Sequence, residues 1–77
     1  MTLLNDDEVV RAAKTLAERV TREADRLEER IALMYRLILG RRPSAPELAY
    51  SREFLERSPL GELGRALFNL NAFVYVE

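Results

Sequence analysis

The sequence predicts an all-α protein, a small four-helix bundle. Apolar residues recur every three or four positions along most of the chain, capping residues mark several separate helix starts, and Gly40 and the three prolines stand at or beside the ends of the periodic stretches. No two stretches read as partner strands, so a sheet is not expected. With 77 residues, the chain is expected to form one helical domain over residues 1–77.

The first helix is predicted over about residues 6–24. Asn5 can cap it, and the acidic residues Asp6, Asp7 and Glu8 favour the positive end of a helix dipole. The apolar residues that follow have the three-and-four spacing of a single buried stripe: Val9, Val10, Ala13, Leu16, Ala17, Val20 and Ala24. This helix is therefore expected to bury one face.

The second helix is predicted over about residues 26–39. Asp25 and Glu28 have the spacing of a capping box, which indicates a break just before this helix. The alternative is one continuous helix over residues 6–39, but it would be ~50 Å long, more than a compact domain of this size can use. Its apolar face contains Leu27, Ile31, Met34, Tyr35 and Ile38, widened by Leu33 and Leu37. Gly40 is expected to end the helix in a left-handed conformation.

The third and fourth helices are predicted over about residues 45–57 and 59–70. Ser44 with Glu47 forms a capping box and Pro46 suits the first turn, while Ser58 and Pro59 mark the next start. Within the fourth helix, Gly61 and Gly64 would allow close approach of a neighbour. Beyond it, Asn71 is expected to cap a short terminal turn of aromatic residues over 72–75.

Composition excludes several classes of function. The chain has neither Cys nor His, which rules out thiolate or imidazole catalysis and Cys/His metal sites within it. The net charge of −1 provides no overall attraction to nucleic acid or anionic lipid. No stretch approaches the ~20 apolar residues of a membrane span. Clustered carboxylates are explained by solvated ion pairs within helices, such as Glu18 with Arg22 or Glu53 with Arg57.

Two groups of residues are candidates for interaction. Arg36, Arg41 and Arg42 surround the predicted end of the second helix and could bind phosphate or a partner's carboxylates, although capping of that helix is the favoured interpretation. The apolar residues near the C-terminus form the second group: Phe68, Phe73, Val74 and Tyr75. No catalytic residue, cofactor or metal ligand is predicted, and the chain is not expected to be an enzyme.

Three blocks of sequence resemble a known family. They are Leu3-Leu4-Asn5-Asp6, the stretch from Arg30 to Leu48 with its Tyr35-Arg36-Leu37-Ile38-Leu39-Gly40-Arg41-Arg42-Pro43 centre, and residues 66–77. Together they resemble the C-terminal portion of a planctomycete domain of unknown function found in large exported proteins, often alongside a cytochrome c-type domain. The resemblance implies an exported or cell-envelope location and a chain that is a fragment or relative of a larger protein.

Two functions from different classes follow as hypotheses. The preferred one is a non-catalytic helical module for packing or protein interaction, whose partner is its own copy or the remainder of a larger parent protein. It rests on a surplus of apolar side chains beyond one stripe per helix, including Val10, Leu33 and Leu37. The alternative is a small nucleic-acid-binding or regulatory domain that uses the arginines, which the charge balance makes the less favoured reading.

Overall fold

The computed structural model describes residues 5–74, with side chains described through residue 71. It contains four helices: α1 (Asp6–Glu23), α2 (Leu27–Leu39), α3 (Ala45–Phe54) and α4 (Leu60–Val74). Within residues 5–74 there is no strand. The predicted all-α class and four-helix bundle are therefore confirmed.

The start of α1 follows the predicted capping chemistry. The Asn5 side-chain oxygen accepts a hydrogen bond of 2.9 Å from the Glu8 backbone N–H, and the Asn5 carbonyl accepts one of 3.0 Å from Val9. Three acidic residues occupy the first turn. The sequence therefore determines this helix start locally.

The predicted break between α1 and α2 is present, but Asp25 does not cap α2. Arg26 is the N-cap, and it makes no side-chain capping bond. The corner is held instead by Arg30, whose Nε donates to the Ala24 carbonyl at 2.8 Å and whose Nη2 donates to the Thr21 carbonyl at 3.4 Å. A half-buried guanidinium thus satisfies carbonyls at the end of α1. The protein's longest dimension is 33 Å, shorter than a continuous helix would need.

The next boundary also follows the predicted signals. Gly40 ends α2 in the left-handed region, with φ of 72°, and its N–H donates to the Arg36 carbonyl at 3.0 Å. Ser44 and Glu47 form the expected reciprocal capping box, with bonds of 3.3 and 2.8 Å. Both ends of this loop are specified by residues within it.

Helix α3 ends at Phe54, earlier than the predicted residue 57. The backbone N–H groups of Glu56 and Arg57 donate to carbonyls three residues back, at 3.1 Å each. Bonds of this spacing are typical of the tighter turn that often follows the last turn of an α-helix.

Helix α4 corrects two predictions about the C-terminal segment. It continues through Val74, so it does not end near residue 70, and Asn71 lies inside it rather than capping a separate turn. Asparagine is only a few tenths of a kcal/mol worse than average inside a helix, too little to interrupt a helix that continues on both sides. The side chains of residues 72–75, where the terminal turn was predicted, lie outside the described residues.

Helix α2 is central to the core, because it contacts each of the other three helices. Ile31, Met34, Tyr35 and Ile38 are buried as predicted, whereas Leu27 in its first turn is 45% exposed. The other buried apolar residues are Val9, Ala13, Val20, Ala24, Leu63 and Leu67. In α3 only Ser51 is fully buried, so this helix contributes least to the core.

Helices α1 and α4 make the most extensive contact between helices. Gly64 is buried at this crossing, and a β-carbon built there would lie 2.6 Å from Met34 Cε and 3.2 Å from Ala13 Cβ. Gly61, one turn earlier, lies against the Lys14 backbone, and a β-carbon built there would be 3.9 Å from the Lys14 Cα, an ordinary contact. Gly64 therefore permits the close approach that the sequence predicted.

Among the described helices, none combines the length with the apolar character that crossing a membrane would require.

Candidate functional site

The three candidate arginines do not act as one group. The Arg41 guanidinium pairs with the Glu47 carboxylate through two hydrogen bonds, Nη1 to Oε1 at 2.7 Å and Nη2 to Oε2 at 2.9 Å. Its Nη1 also donates to the Arg42 carbonyl at 3.1 Å. Arg41 therefore ties the loop after α2 to the first turn of α3 and does not lie on the last carbonyls of α2, as the sequence suggested.

The pairing changes the acid–base properties of both partners. Hydrogen bonding from Arg41, followed by the Ser44 backbone N–H, lowers the pKa of Glu47 from its ordinary value of 4.5 to about 2. The same bond to Glu47 raises the pKa of Arg41. Both groups are thus charged at neutral pH, and most of the hydrogen-bonding capacity of Arg41 is directed at this chain.

Tyr35 lies beside the Arg41–Glu47 pair. Its hydroxyl shares a buried hydrogen bond of 3.2 Å with the Ser51 hydroxyl. The Arg41 guanidinium carbon lies 5.8 Å from the centre of the Tyr35 ring. Among the described residues, no buried side-chain nitrogen or oxygen is left without a hydrogen bond. The arrangement binds α2 to α3 and has a structural role.

Arg36 and Arg42 lie together in a different place. Both line a shallow groove of about 520 Å³ on the outer side of α2. Its apolar surface comes from Ala32 and Leu33 of α2 together with Ala24, Pro43 and Leu48 beside them, and its acidic residues are Glu23, Glu28 and Glu29. Positive and negative groups therefore share this groove, which we call the α2 groove.

A second groove, the α1–α4 groove, was not predicted as a site. Its volume is about 600 Å³, and its lining is mainly apolar: Val10 and Ala17 from α1 face Pro59, Leu60 and Gly61 at the start of α4. Val10 is 43% exposed. The only signals in the sequence were the position of Val10 beside the buried stripe and the Pro59 start, and neither indicates that the two lie together.

The C-terminal candidates can be assigned only in part. Phe68 is half-buried and packs against the core cluster, so it contributes to the fold. Phe73 and Val74 belong to α4, but their side chains lie outside the described residues, as does the whole of Tyr75. Their proposed role in interaction stays a prediction.

The carboxylates are distributed as expected for a solvated helical surface, although the pairs differ from the predicted ones. Exposed ion pairs join Arg19 to Glu23 at 2.7 Å and Arg52 to Glu28 at 3.2 Å. Neither of the predicted pairs, Glu18–Arg22 and Glu53–Arg57, occurs among the ion pairs of the described residues. Exposed pairs of this kind contribute ~0–1 kcal/mol each.

Comparison with known proteins gives one family. Neither curated proteins nor solved structures provide a significant match. The family model of PSD1, described as "Protein of unknown function (DUF1553)", matches residues 1–55, which include α1, α2 and α3. Of the three blocks behind the resemblance, the first two fall inside this match and the third, residues 66–77, falls outside it. The match spans more than half of the sequence, and the chain therefore belongs to the PSD1 family of proteins of unknown function.

Proposed function

We propose that this chain is a non-catalytic helical module whose exposed apolar surface binds protein. The single observation that carries the proposal is the α1–α4 groove, a mainly apolar depression bordered by the charged residues Lys14, Glu18 and Glu62. Apolar depressions rimmed by polar residues are typical of sites that bind another polypeptide. The absence of Cys and His from the sequence supports the non-catalytic part of the proposal.

The shape of the groove suits a helical or extended segment. It is lined by residues between Val10 and Thr21 on α1 and by the segment from Pro59 to Glu62 at the start of α4, where Gly61 lies against the Lys14 backbone. Val10, Ala17 and Leu60 supply apolar contacts, and Lys14, Glu18 and Glu62 border them with charge. A partner segment with an apolar stripe would therefore be bound by burial and oriented by the flanking charges.

The partner in this proposal is a second copy or another part of a larger PSD1-family protein. The resemblance to exported planctomycete proteins supports a place within a larger protein of the cell envelope. The arginines do not favour the nucleic-acid alternative, because Arg41 is engaged by Glu47 and Arg36 and Arg42 share their groove with three carboxylates.

The test is a measurement of association with a groove variant. Sedimentation velocity from low micromolar to near-millimolar protein would detect self-association, and titration with the remaining part of a PSD1-family parent protein would detect the other partner. Val10→Lys places a charge in the groove and is expected to weaken binding at least about tenfold. Tyr50→Lys is the matched control, because Tyr50 is 76% exposed on α3 and outside the groove. Binding to neither partner, or equal binding by Val10→Lys, would reject the proposal.

A further inference from the structure

The charges of the α2 groove follow an order along the helix. Glu28 and Glu29 lie in the first turn of α2, and Arg36 lies in its last turn. Between them, Ala32 and Leu33 are half-buried and line the groove. The surface is thus acidic at one end, apolar in the middle and basic at the other end.

This order is complementary to itself. Residues 29, 32, 33 and 36 have the three-and-four spacing that places side chains on one face of a helix. They are also symmetric about the midpoint between Ala32 and Leu33. If a second α2 lies antiparallel across a two-fold axis at that midpoint, Glu29 faces the other copy's residue 36, and Ala32 faces the other copy's residue 33. A two-fold interface requires this reciprocity, in which each contact occurs twice.

The charged groups are available for such contacts. Arg36 is exposed and makes no ion pair with any other residue in the described part of the chain. Glu29 is exposed, and its carboxylate is 3.9 Å from Arg26 Nε. This solvated ion pair contributes little stability, so breaking it to form another contact costs little free energy. The small side chain of Ala32 leaves room for a leucine from a facing helix.

Leu37 adds to the apolar part of this side of α2. It is 37% exposed and follows Leu33 by four residues, so the two are neighbours along the helix surface. The buried area available to a single helix pair is smaller than that of a standard stable interface, so the association should be weak and concentration-dependent.

We infer that the outer face of α2 is a self-association surface, on which a second copy of this chain binds antiparallel through reciprocal contacts between Glu29 and Arg36. This inference goes beyond the proposed function, because it assigns a different face and names the partner. A second copy is the occupant because it presents the complementary order of charges at the matching spacing. A partner whose surface carried charges of a single sign would be repelled by the end of the groove that has the same sign.

The decisive experiment is charge reversal followed by mixing. Glu29→Arg alone, or Arg36→Glu alone, places like charges opposite each other in both symmetric contacts. Each is expected to weaken self-association at least about tenfold in sedimentation velocity. An equimolar mixture of the two variants restores opposite charges in both contacts, so heterodimers should form with about wild-type affinity. High salt should weaken the wild-type and the mixed complexes alike.

The same experiment also checks that the two charge-reversal variants are folded. Both variants replace exposed side chains, circular dichroism checks their helix content, and a restored mixed complex requires both to be folded. Arg57→Glu, on the turn after α3 and outside the groove, is the matched single charge reversal and should associate as the wild type does. A wild-type chain that stays monomeric, single variants that associate normally, or a mixture that fails to associate would each overturn the inference.

The outcome also separates this inference from the proposed function. If association survives both α2 variants but is lost in Val10→Lys, the α2 face is not the interface and the α1–α4 groove stands as the binding site. If the α2 variants lose association and Val10→Lys keeps all binding, the α2 inference stands and the proposed role of the groove fails.

Discussion

Tyr35 and Ser51 share a buried hydrogen bond of 3.2 Å between their hydroxyl groups, and this bond joins α2 to α3. Ser51 is the one fully buried residue of α3, with 2% of its surface exposed. The docking of α3, which has a single buried residue, therefore depends in part on a polar contact. Such a contact specifies the position of a helix, because each hydroxyl lacks another partner if the helix shifts.

We expect Tyr35→Phe and Ser51→Ala each to destabilise the fold by ~1–3 kcal/mol, because each leaves the opposite hydroxyl buried without a partner. The double variant should cost less than the sum of the two single variants, since it removes both polar groups. Urea denaturation of the four proteins measures this coupling. Tyr50→Phe, at an exposed tyrosine, is the control and should change stability by less than ~0.5 kcal/mol. Strictly additive losses would show that the bond contributes no coupling.

Gly64→Ala should destabilise the protein, although alanine is the better helix former. The added carbon would lie within 2.6 Å of Met34 Cε and 3.2 Å of Ala13 Cβ, and Met34 is fully buried, so relief requires repacking of the core. Overpacking of this kind costs ~1–3 kcal/mol, against a gain of up to ~1 kcal/mol in helix propensity.

Gly61→Ala is the matched control for that change. The nearest atom to its added carbon is the Lys14 Cα at 3.9 Å, an ordinary contact. It should raise stability by up to ~1 kcal/mol. Thermal and urea unfolding of both variants would distinguish them, and equal stabilisation would mean that the helices do not approach closely at Gly64.

Arg30→Ala should loosen the corner between α1 and α2. The side chain donates hydrogen bonds to the Ala24 and Thr21 carbonyls. Without it these carbonyls can bond only to water, and the free energy of unfolding should fall by ~1 kcal/mol. Amide hydrogen exchange at Ala24, whose N–H closes the last turn of α1, should become faster. Arg57→Ala removes an exposed arginine from another turn and is the control. Unchanged exchange at Ala24 in Arg30→Ala would contradict the capping role.

Glu47 should make stability depend on acid pH. Its folded-state pKa of about 2 is below the ordinary value of 4.5. The stabilisation from its carboxylate is therefore complete above pH 4.5 and is lost as the pH falls towards 2. Glu47→Gln cannot titrate, so its stability should fall less steeply over this range in denaturation measured at successive pH values. Parallel profiles for Glu47→Gln and the wild type would refute the linkage.

The boundaries that could be predicted are those whose partners are close in sequence. Asn5, Gly40 and the Ser44–Glu47 box each act within four residues, so their chemistry is visible in the sequence itself. The spacing of Ile31, Met34 and Ile38 likewise predicted the buried face of α2. These features belong to a single helix or a single turn.

The features that sequence reasoning missed depend on the path of the chain. Arg30 reaches carbonyls six and nine residues earlier, and it can do so only because a non-helical corner intervenes. Arg41 was assigned to the nearest helix end, whereas its geometry matches the Glu47 carboxylate better. The two grooves combine residues from different elements, as Val10 and Leu60 illustrate, and no local pattern indicates that these will meet.

The contact among Ala13, Met34 and Gly64 has a consequence for the evolution of this chain. The three residues come from three different helices and share one fixed volume, so none can grow unless another shrinks. Among natural variants, a larger residue at position 64 should be accompanied by a shorter side chain at position 34, and such a pair should be tolerated where either change alone is selected against.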